Sequence, residues 1–128
     1  MLLLGIDVGT SSIKVSVVDA ATQRSLVTVQ YPDQETPIQS PQPGWAEQDP
    51  VDWIEALRSA VNELRTLHPQ IFGSLAAVSL CSAAHIPVLL DDTNRVIRPA
   101  ILWSDQRSDA EVRELKTTLG PQLEEITL

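Results

Sequence analysis

Two β-rich apolar runs, Leu2–Val8 and Ile13–Asp19, flank the short polar stretch Gly9-Thr10-Ser11-Ser12. No other feature restricts the fold of this chain as strongly. Runs of this kind around so short a turn predict a β-hairpin. The weak alternation of Ser25–Tyr31 predicts a third strand beside it.

The next segment changes character. Residues 32 to 50 carry Pro32, Pro37, Pro41, Pro43 and Pro50 among many polar side chains, which predicts a long surface loop, either functional or floppy. Asp49-Pro50 then opens a helix, with the aspartate as N-cap and proline at the first helical position. Trp53, Leu57, Val61 and Leu64 recur at spacings of three and four and predict its buried stripe; the helix ends near His68-Pro69. The run Leu75–Leu80 reads as a buried strand, so strand, helix and strand predict a parallel crossover. Cys81 is expected there as a small core residue. Pro87–Leu90 is a further strand candidate, closed by an Asp91-Asp92-Thr93-Asn94 turn, and Arg98–Trp103 extends to the surface. Ser108 to Leu119 reads as a helix, with Ser108 and Glu111 in capping-box spacing.

Composition narrows the class. In 128 residues, 17 acidic side chains face 9 basic ones, a formal charge of −8 that repels nucleic-acid backbones and anionic membranes. A single cysteine excludes an internal disulfide and suits a reducing cytoplasm. Asp7 interrupts the apolar start before it reaches the length of a signal core, and no stretch is long enough to cross a bilayer. A soluble cytoplasmic domain is the expectation.

The chemistry concentrates in Gly5-Ile6-Asp7-Val8-Gly9-Thr10-Ser11-Ser12. A carboxylate at a strand end followed by a Gly-hydroxyl turn is one way to hold a phosphate and its metal. Gly9 admits an anion close to backbone N–H groups, and Thr10, Ser11 and Ser12 add hydroxyl donors. Asp7 suits Mg²⁺, which keeps most of its waters, and Lys14 offers a point charge to a phosphoryl group. An Asp7 in a buried strand would need a partner. Neither GxxxxGK[ST] nor GxGxxG occurs. A plain hairpin with a polar turn remains the alternative for this stretch alone.

Three segments together carry a resemblance. GIDVGTSSIKVSVVD, residues 5 to 19, is similar to the first phosphate-binding hairpin of the actin-like ATPase superfamily. Gly44-Trp45-Ala46-Glu47-Gln48-Asp49-Pro50 with Trp53 resembles the GWxEQxPxxW segment of the FGGY carbohydrate kinases. Arg98-Pro99-Ala100-Ile101-Leu102-Trp103-Ser104-Asp105-Gln106-Arg107 resembles their RPAIxWxDxR segment. The order and approximate spacing are the family's, over roughly residues 2 to 110.

The resemblance implies an α/β fold, the ribonuclease H-like mixed sheet of the actin-like ATPase superfamily with flanking helices. Residues 1–128 would be an incomplete N-terminal domain of a kinase that transfers the γ-phosphoryl group of ATP to a sugar hydroxyl with Mg²⁺. It implies Asp7 near the metal, and Gly9, Thr10, Ser11, Ser12 and Lys14 toward the phosphates. On the sugar side, Cys81-Ser82-Ala83-Ala84-His85-Ile86 stands where many xylulokinases carry SGQMHG. His85 keeps a sugar-contacting position, whereas Ala83 and Ala84 replace Gln and Met; D-xylulose, gluconate and other sugars all stay open. Trp103 implies stacking on a sugar ring or simple packing. Asp105 and Arg107 imply either hydrogen bonds to sugar hydroxyls or a local ion pair at the rim. Trp45 and Trp53 are expected as packing residues, and Glu47 and Gln48 as groups that structure the loop.

The family's catalytic aspartate and adenosine pocket have no counterpart before Leu128, so no catalytic residue and no kinase turnover are expected of the chain alone. Two other readings remain. One is a small ribonuclease H-like nuclease of the Holliday-junction-resolvase kind, which needs clustered carboxylates. The other is a non-catalytic module that self-associates, as a homodimer, through exposed core surface.

Overall fold

The computed structural model describes residues 1–120. Its main sheet has the strand order β3-β2-β1-β5, built from β1 (Leu2–Val8), β2 (Ile13–Asp19), β3 (Arg24–Tyr31) and β5 (Leu75–Ser82). The first three strands are antiparallel, and β5 pairs parallel to β1, as a crossover requires. A two-stranded ribbon, β4 (Glu47–Gln48) with β6 (Ala100–Ile101), completes the strands among the described residues. The helices are α1 (Pro50–Leu67), α2 (Pro69–Gly73) and α3 (Asp109–Leu119). The result is the expected α/β mixed sheet with flanking helices.

Side-chain alternation fixes the two faces. Leu4 and Ile6 stand opposite Val17 and Val15, and Val15 and Val17 stand opposite Val29 and Val27, so one face of the hairpin is apolar as far as Asp19 at its end. Helix α1 lies on that face. Asp49 caps it as expected, its Oδ1 accepting the Val51 N–H at 2.9 Å. The stripe that reaches the core is Ala56, Ala60 and Leu64, with Leu57 and Val61 at its margin. Alanine at two of these positions brings the helix backbone close to the valines. Gly5, Asp7, Lys14, Ser16, Thr28 and Gln30 occupy the other face, which is polar toward the turn and carries Leu3 and Val18 at its far end.

Several expectations are corrected. Strand β5 is not buried: Val78 is 64% exposed and Leu80 57%, because α1 lies over β2 and β3 and leaves β5 uncovered. Cys81, on the opposite face beside Asp7, is an exposed thiol and no core residue. Pro87–Leu90 forms no strand. It makes a bridge from Leu90 to Val96 and accepts the Ile97 N–H at the Leu89 carbonyl (3.0 Å), around a turn in which the Asn94 N–H donates to the Asp91 carbonyl. Among the described residues no strand lies alongside to pair with it, and proline has no N–H to donate. At α3, Ser108 makes no side-chain capping bond: its φ of −94° and ψ of 11° lie outside the extended region an N-cap uses. Asp109 and Glu111 complement that helix end by charge instead.

The proline-rich loop is anchored. The Ala46 carbonyl accepts the Leu102 N–H (2.9 Å), the Gly44 carbonyl accepts the Gln106 N–H (2.8 Å), and Gln39 pairs with Glu47 on the other side. Gly44, at φ +81°, supplies the left-handed turn that this docking needs. Residues 98 to 107 thus lie against residues 39 to 48 along both of their motif segments.

Candidate functional site

The hairpin turn is tightly specified. The Gly9 N–H donates to the Ser12 carbonyl at 3.2 Å, and a Cβ at residue 9 would lie 2.9 Å from that same oxygen. Only glycine fits without moving backbone. From the loop side, Gln48 Nε2 donates to the Thr10 carbonyl (2.8 Å) and the Thr36 N–H donates to the Ser11 carbonyl (2.7 Å). Both carbonyls are thereby occupied by protein donors. Gly9→Ala is expected to destabilise the chain by about 1–3 kcal/mol through this clash, read as a shift in the urea midpoint with unchanged slope.

Two concavities flank the turn, one on each face of the sheet. On the polar face, Asp7 and Lys14 stand opposite each other in the β1–β2 register and line a groove of about 290 Å³ with Gly5, Ser16, Ser79 and Cys81. The Asp7 carboxylate is exposed, so the expectation of a buried, unpaired acid does not hold. Cys81 Sγ approaches Asp7 Oδ1 at 3.6 Å. Desolvation, and then the Asp7 charge, push this thiol above its ordinary range. A raised pKa leaves less thiolate at a given pH. Iodoacetamide should therefore modify Cys81 more slowly than a free thiol at pH 8, and Asp7→Asn should speed the reaction by lowering that pKa. Equal rates in both chains would separate the two groups.

On the α1 face, Val8, Gly9, Thr10, Trp53, Ala83 and Ile86 wall a mostly apolar cavity of about 250 Å³. Ala83, where the resemblance has Gln, is part of that wall. His85 lies beyond it, exposed, with φ at +61°, a left-handed conformation that histidine adopts more readily than most residues.

The sequence-expected residues therefore do not gather at one point. Asp7 and Lys14 face the groove, and Gly9 and Thr10 face the cavity. Ser11 is exposed at the turn, whereas Ser12 is buried at its base. Trp103 is 70% exposed. Of the two readings for Asp105 and Arg107, the ion pair is present. Arg107 Nε donates to Asp105 Oδ1 (2.7 Å), and its Nη2 donates to Asp105 Oδ2 (2.8 Å) and Glu47 Oε1 (2.7 Å). The guanidinium also stacks on Trp45, 3.8 Å from the ring centroid. Arg98 donates to the same Glu47 oxygen, and Asp105 Oδ2 accepts the Ala46 N–H at 2.6 Å. Hydrogen bonds from Arg107 hold the Asp105 carboxyl well below the usual carboxylate range, and the Asp105 partnership raises Arg107 in turn.

Sequence reasoning assigned Glu47 and Gln48 to loop structure but missed how far they reach. Both are buried, and together they connect the loop to the turn and to the 98–107 segment. A Glu-Gln pair, polar yet set between a tryptophan segment and a helix start, was the available signal. Among the described residues Asp7 is the lone carboxylate lining its groove, and no three His, Cys, Asp or Glu side chains cluster to hold a metal. That donor set suits Mg²⁺, which binds through one or two carboxylates plus waters and phosphates. The paired-metal centre of a nuclease needs further carboxylates, and none lines this groove among the described residues.

A sequence profile of the FGGY family of carbohydrate kinases, N-terminal domain, matches residues 2–128. The chain belongs to the FGGY carbohydrate kinases. The xylulose kinase of Lactococcus lactis (strain IL1403) is 38% identical over 125 residues, which is 98% of this chain and 24% of that protein. The Escherichia coli K12 xylulose kinase is 35% identical over 126 residues, 98% of this chain and 25% of its own length. Among solved structures, the xylulose kinase from Rhodospirillum rubrum superposes with a TM-score of 0.81 at 30% identity, over 96% of this chain and 24% of that one. This chain therefore spans about a quarter of the length of the FGGY kinases it matches, and its mixed sheet is that of their N-terminal domains.

Proposed function

We propose that residues 1–128 form the phosphate- and substrate-side N-terminal part of the first domain of an ATP-dependent sugar kinase. The observation that carries this reading is the glycine-restricted turn, with Asp7 and Lys14 beside it, inside a chain that matches the family's N-terminal domain from Leu2 onward. Asp7 would hold Mg²⁺ through water, and the N–H groups of the turn with Lys14 would meet the ATP phosphates. Bound Mg²⁺ would neutralise charge on the phosphates. His85 and Trp103 would face the sugar or sugar acid. Asp105 and Arg107, engaged with each other, would shape the rim. The free thiol of Cys81 suits a reducing cytoplasm.

The test is a chimera in which this chain replaces the matching N-terminal quarter of the Lactococcus lactis xylulose kinase. Phosphoryl transfer from ATP to a ketose or sugar acid is the expected result, and Asp7→Asn is expected to lower kcat about 100-fold. A folded chimera that phosphorylates nothing in a panel of ketoses, polyols and sugar acids would sink the proposal. A second reading, self-association, rests on Val78 and Leu80, the exposed apolar residues of β5. It predicts dimers of the 128-residue chain in sizing chromatography with light scattering; a monomer at high concentration would dismiss it.

A further inference from the structure

Gln48 is 1% exposed, among the most buried side chains of the molecule, and it is the largest polar group among them. Its amide faces two kinds of partner. Nε2 points at three carbonyl oxygens, of Thr10 (2.8 Å), Thr36 (3.3 Å) and Pro37 (3.4 Å). Oε1 accepts the indole N–H of Trp53 at 3.1 Å. The orientation of the amide is dictated by chemistry, since carbonyls only accept and an indole N–H only donates. No other natural side chain of this length offers two donors on one side and an acceptor on the other.

We propose that Gln48 is a positioning residue for the phosphate-facing turn, acting through the Thr10 carbonyl and held in place by Trp53. The inference rests on the phosphate-binding reading given above. The Thr36 N–H holds the Ser11 carbonyl, so two consecutive carbonyls of the turn are drawn to the loop, one of them by Gln48. Peptide planes fixed in this way also fix the N–H groups on their opposite edges. A turn whose donors are preset has less to reorganise when charge arrives. Trp53 also walls the cavity shared by Gly9, Thr10 and Ala83, so the same indole touches the turn's surroundings from the helix side.

The experiment uses Gln48→Glu and Gln48→Met in the 128-residue chain, read by amide hydrogen exchange at pH 5 and pH 8 as protection factors. A neutral glutamic acid keeps one donor for Thr10 and the acceptor for Trp53, whereas a carboxylate sets negative oxygen against three carbonyls. Its environment raises the pKa of residue 48 in that variant, so the hold is present at low pH and lost as pH rises. Its titratable neighbours are engaged elsewhere: Glu47 with Arg98 and Arg107, Asp49 with the Val51 N–H. Thr10, Thr36, Pro37 and Trp53, which face the amide, do not titrate in this range.

In Gln48→Met, protection of the Gly9 and Thr36 amides should fall about tenfold or more at both pH values, with Val15 and Val17 unchanged. In Gln48→Glu it should be near wild type at pH 5 and methionine-like at pH 8. The Trp53 indole N–H resonance should shift with the same midpoint. Wild-type exchange at Gly9 and Thr36 in Gln48→Met, a Gln48→Glu pH response no different from wild type, or loss of Val15 and Val17 protection in step with Gly9 would each overturn the proposal. The last would make Gln48 an ordinary core group. The chimera assay decides the phosphate reading separately, so an inactive chimera beside the expected exchange pattern would count against that reading alone.

Discussion

Truncating Leu64 to alanine is expected to lower the unfolding free energy of the chain by about 2–5 kcal/mol. Leu64 is fully buried where α1 meets Leu4, Val15, Val17 and Val29, and rigid strands line most of the space it fills. A strand lattice collapses poorly into a vacated volume, which puts the expected cost in the upper part of that range. Leu67, one turn later and 62% exposed, is the control: Leu67→Ala should change stability by less than about 0.5 kcal/mol. Thermal or urea melts of the two variants check the pair. Comparable losses would mean that α1 packs through a different face.

The second large effect is expected at Arg107. In Arg107→Met the buried Asp105 carboxylate loses its guanidinium partner, and Glu47 keeps only Arg98 of its two. The 98–107 segment should then release the loop. Limited proteolysis within residues 32 to 50 should become roughly tenfold or more faster, and Trp45 fluorescence should shift to the red. Arg107→Lys should rescue little, because a single ammonium cannot serve Asp105 through two nitrogens, reach Glu47 and stack on Trp45.

The pH dependence separates wild type from variant. In the wild type the depressed Asp105 pKa means its contribution is present above the unfolded carboxylate value, near 3.8, and is lost as pH falls through the lower folded value. In Arg107→Met the unpaired Asp105 carboxylate should lose the cause of its depressed pKa, so acidification should partly restore that variant while weakening the wild type. Parallel pH profiles would show that the pair contributes nothing to the docking.

The parts of the fold legible in the sequence were those decided locally. The hairpin followed from alternating valines about a polar turn, and the start of α1 from Asp49-Pro50, because both depend on neighbours a few residues away. The ion pair of Glu47 with Arg107 was not legible: the two lie 60 residues apart, and nothing local reveals that they share a hydrogen bond. The apolar run of β5 reads as buried in any sequence analysis, yet burial depends on what covers a strand, and α1 covers its neighbours. Cys81 read as core and Asp7 as desolvated because a linear sequence does not show that both take the open polar face of the sheet. The turn's residue types were legible, but the division of its surroundings into a groove and a cavity depends on which sheet face each side chain takes.

The place of β5 beside β1 has a consequence for the order of assembly. Strand β1 meets β2 across a turn a few residues long, but it meets β5 only after some seventy intervening residues have been closed into a loop. Loop closure of that length is slow compared with hairpin formation. The three-stranded meander and α1 should therefore gather first on the nascent or refolding chain, with one edge of β1 waiting for its parallel partner. Pulse-labelled exchange should find Val15 and Val17 protected before Val78 and Leu80. Until β5 arrives, the strand that carries Asp7 toward the turn is held from one side only, so the groove beside it is the last part of the sheet to acquire its shape.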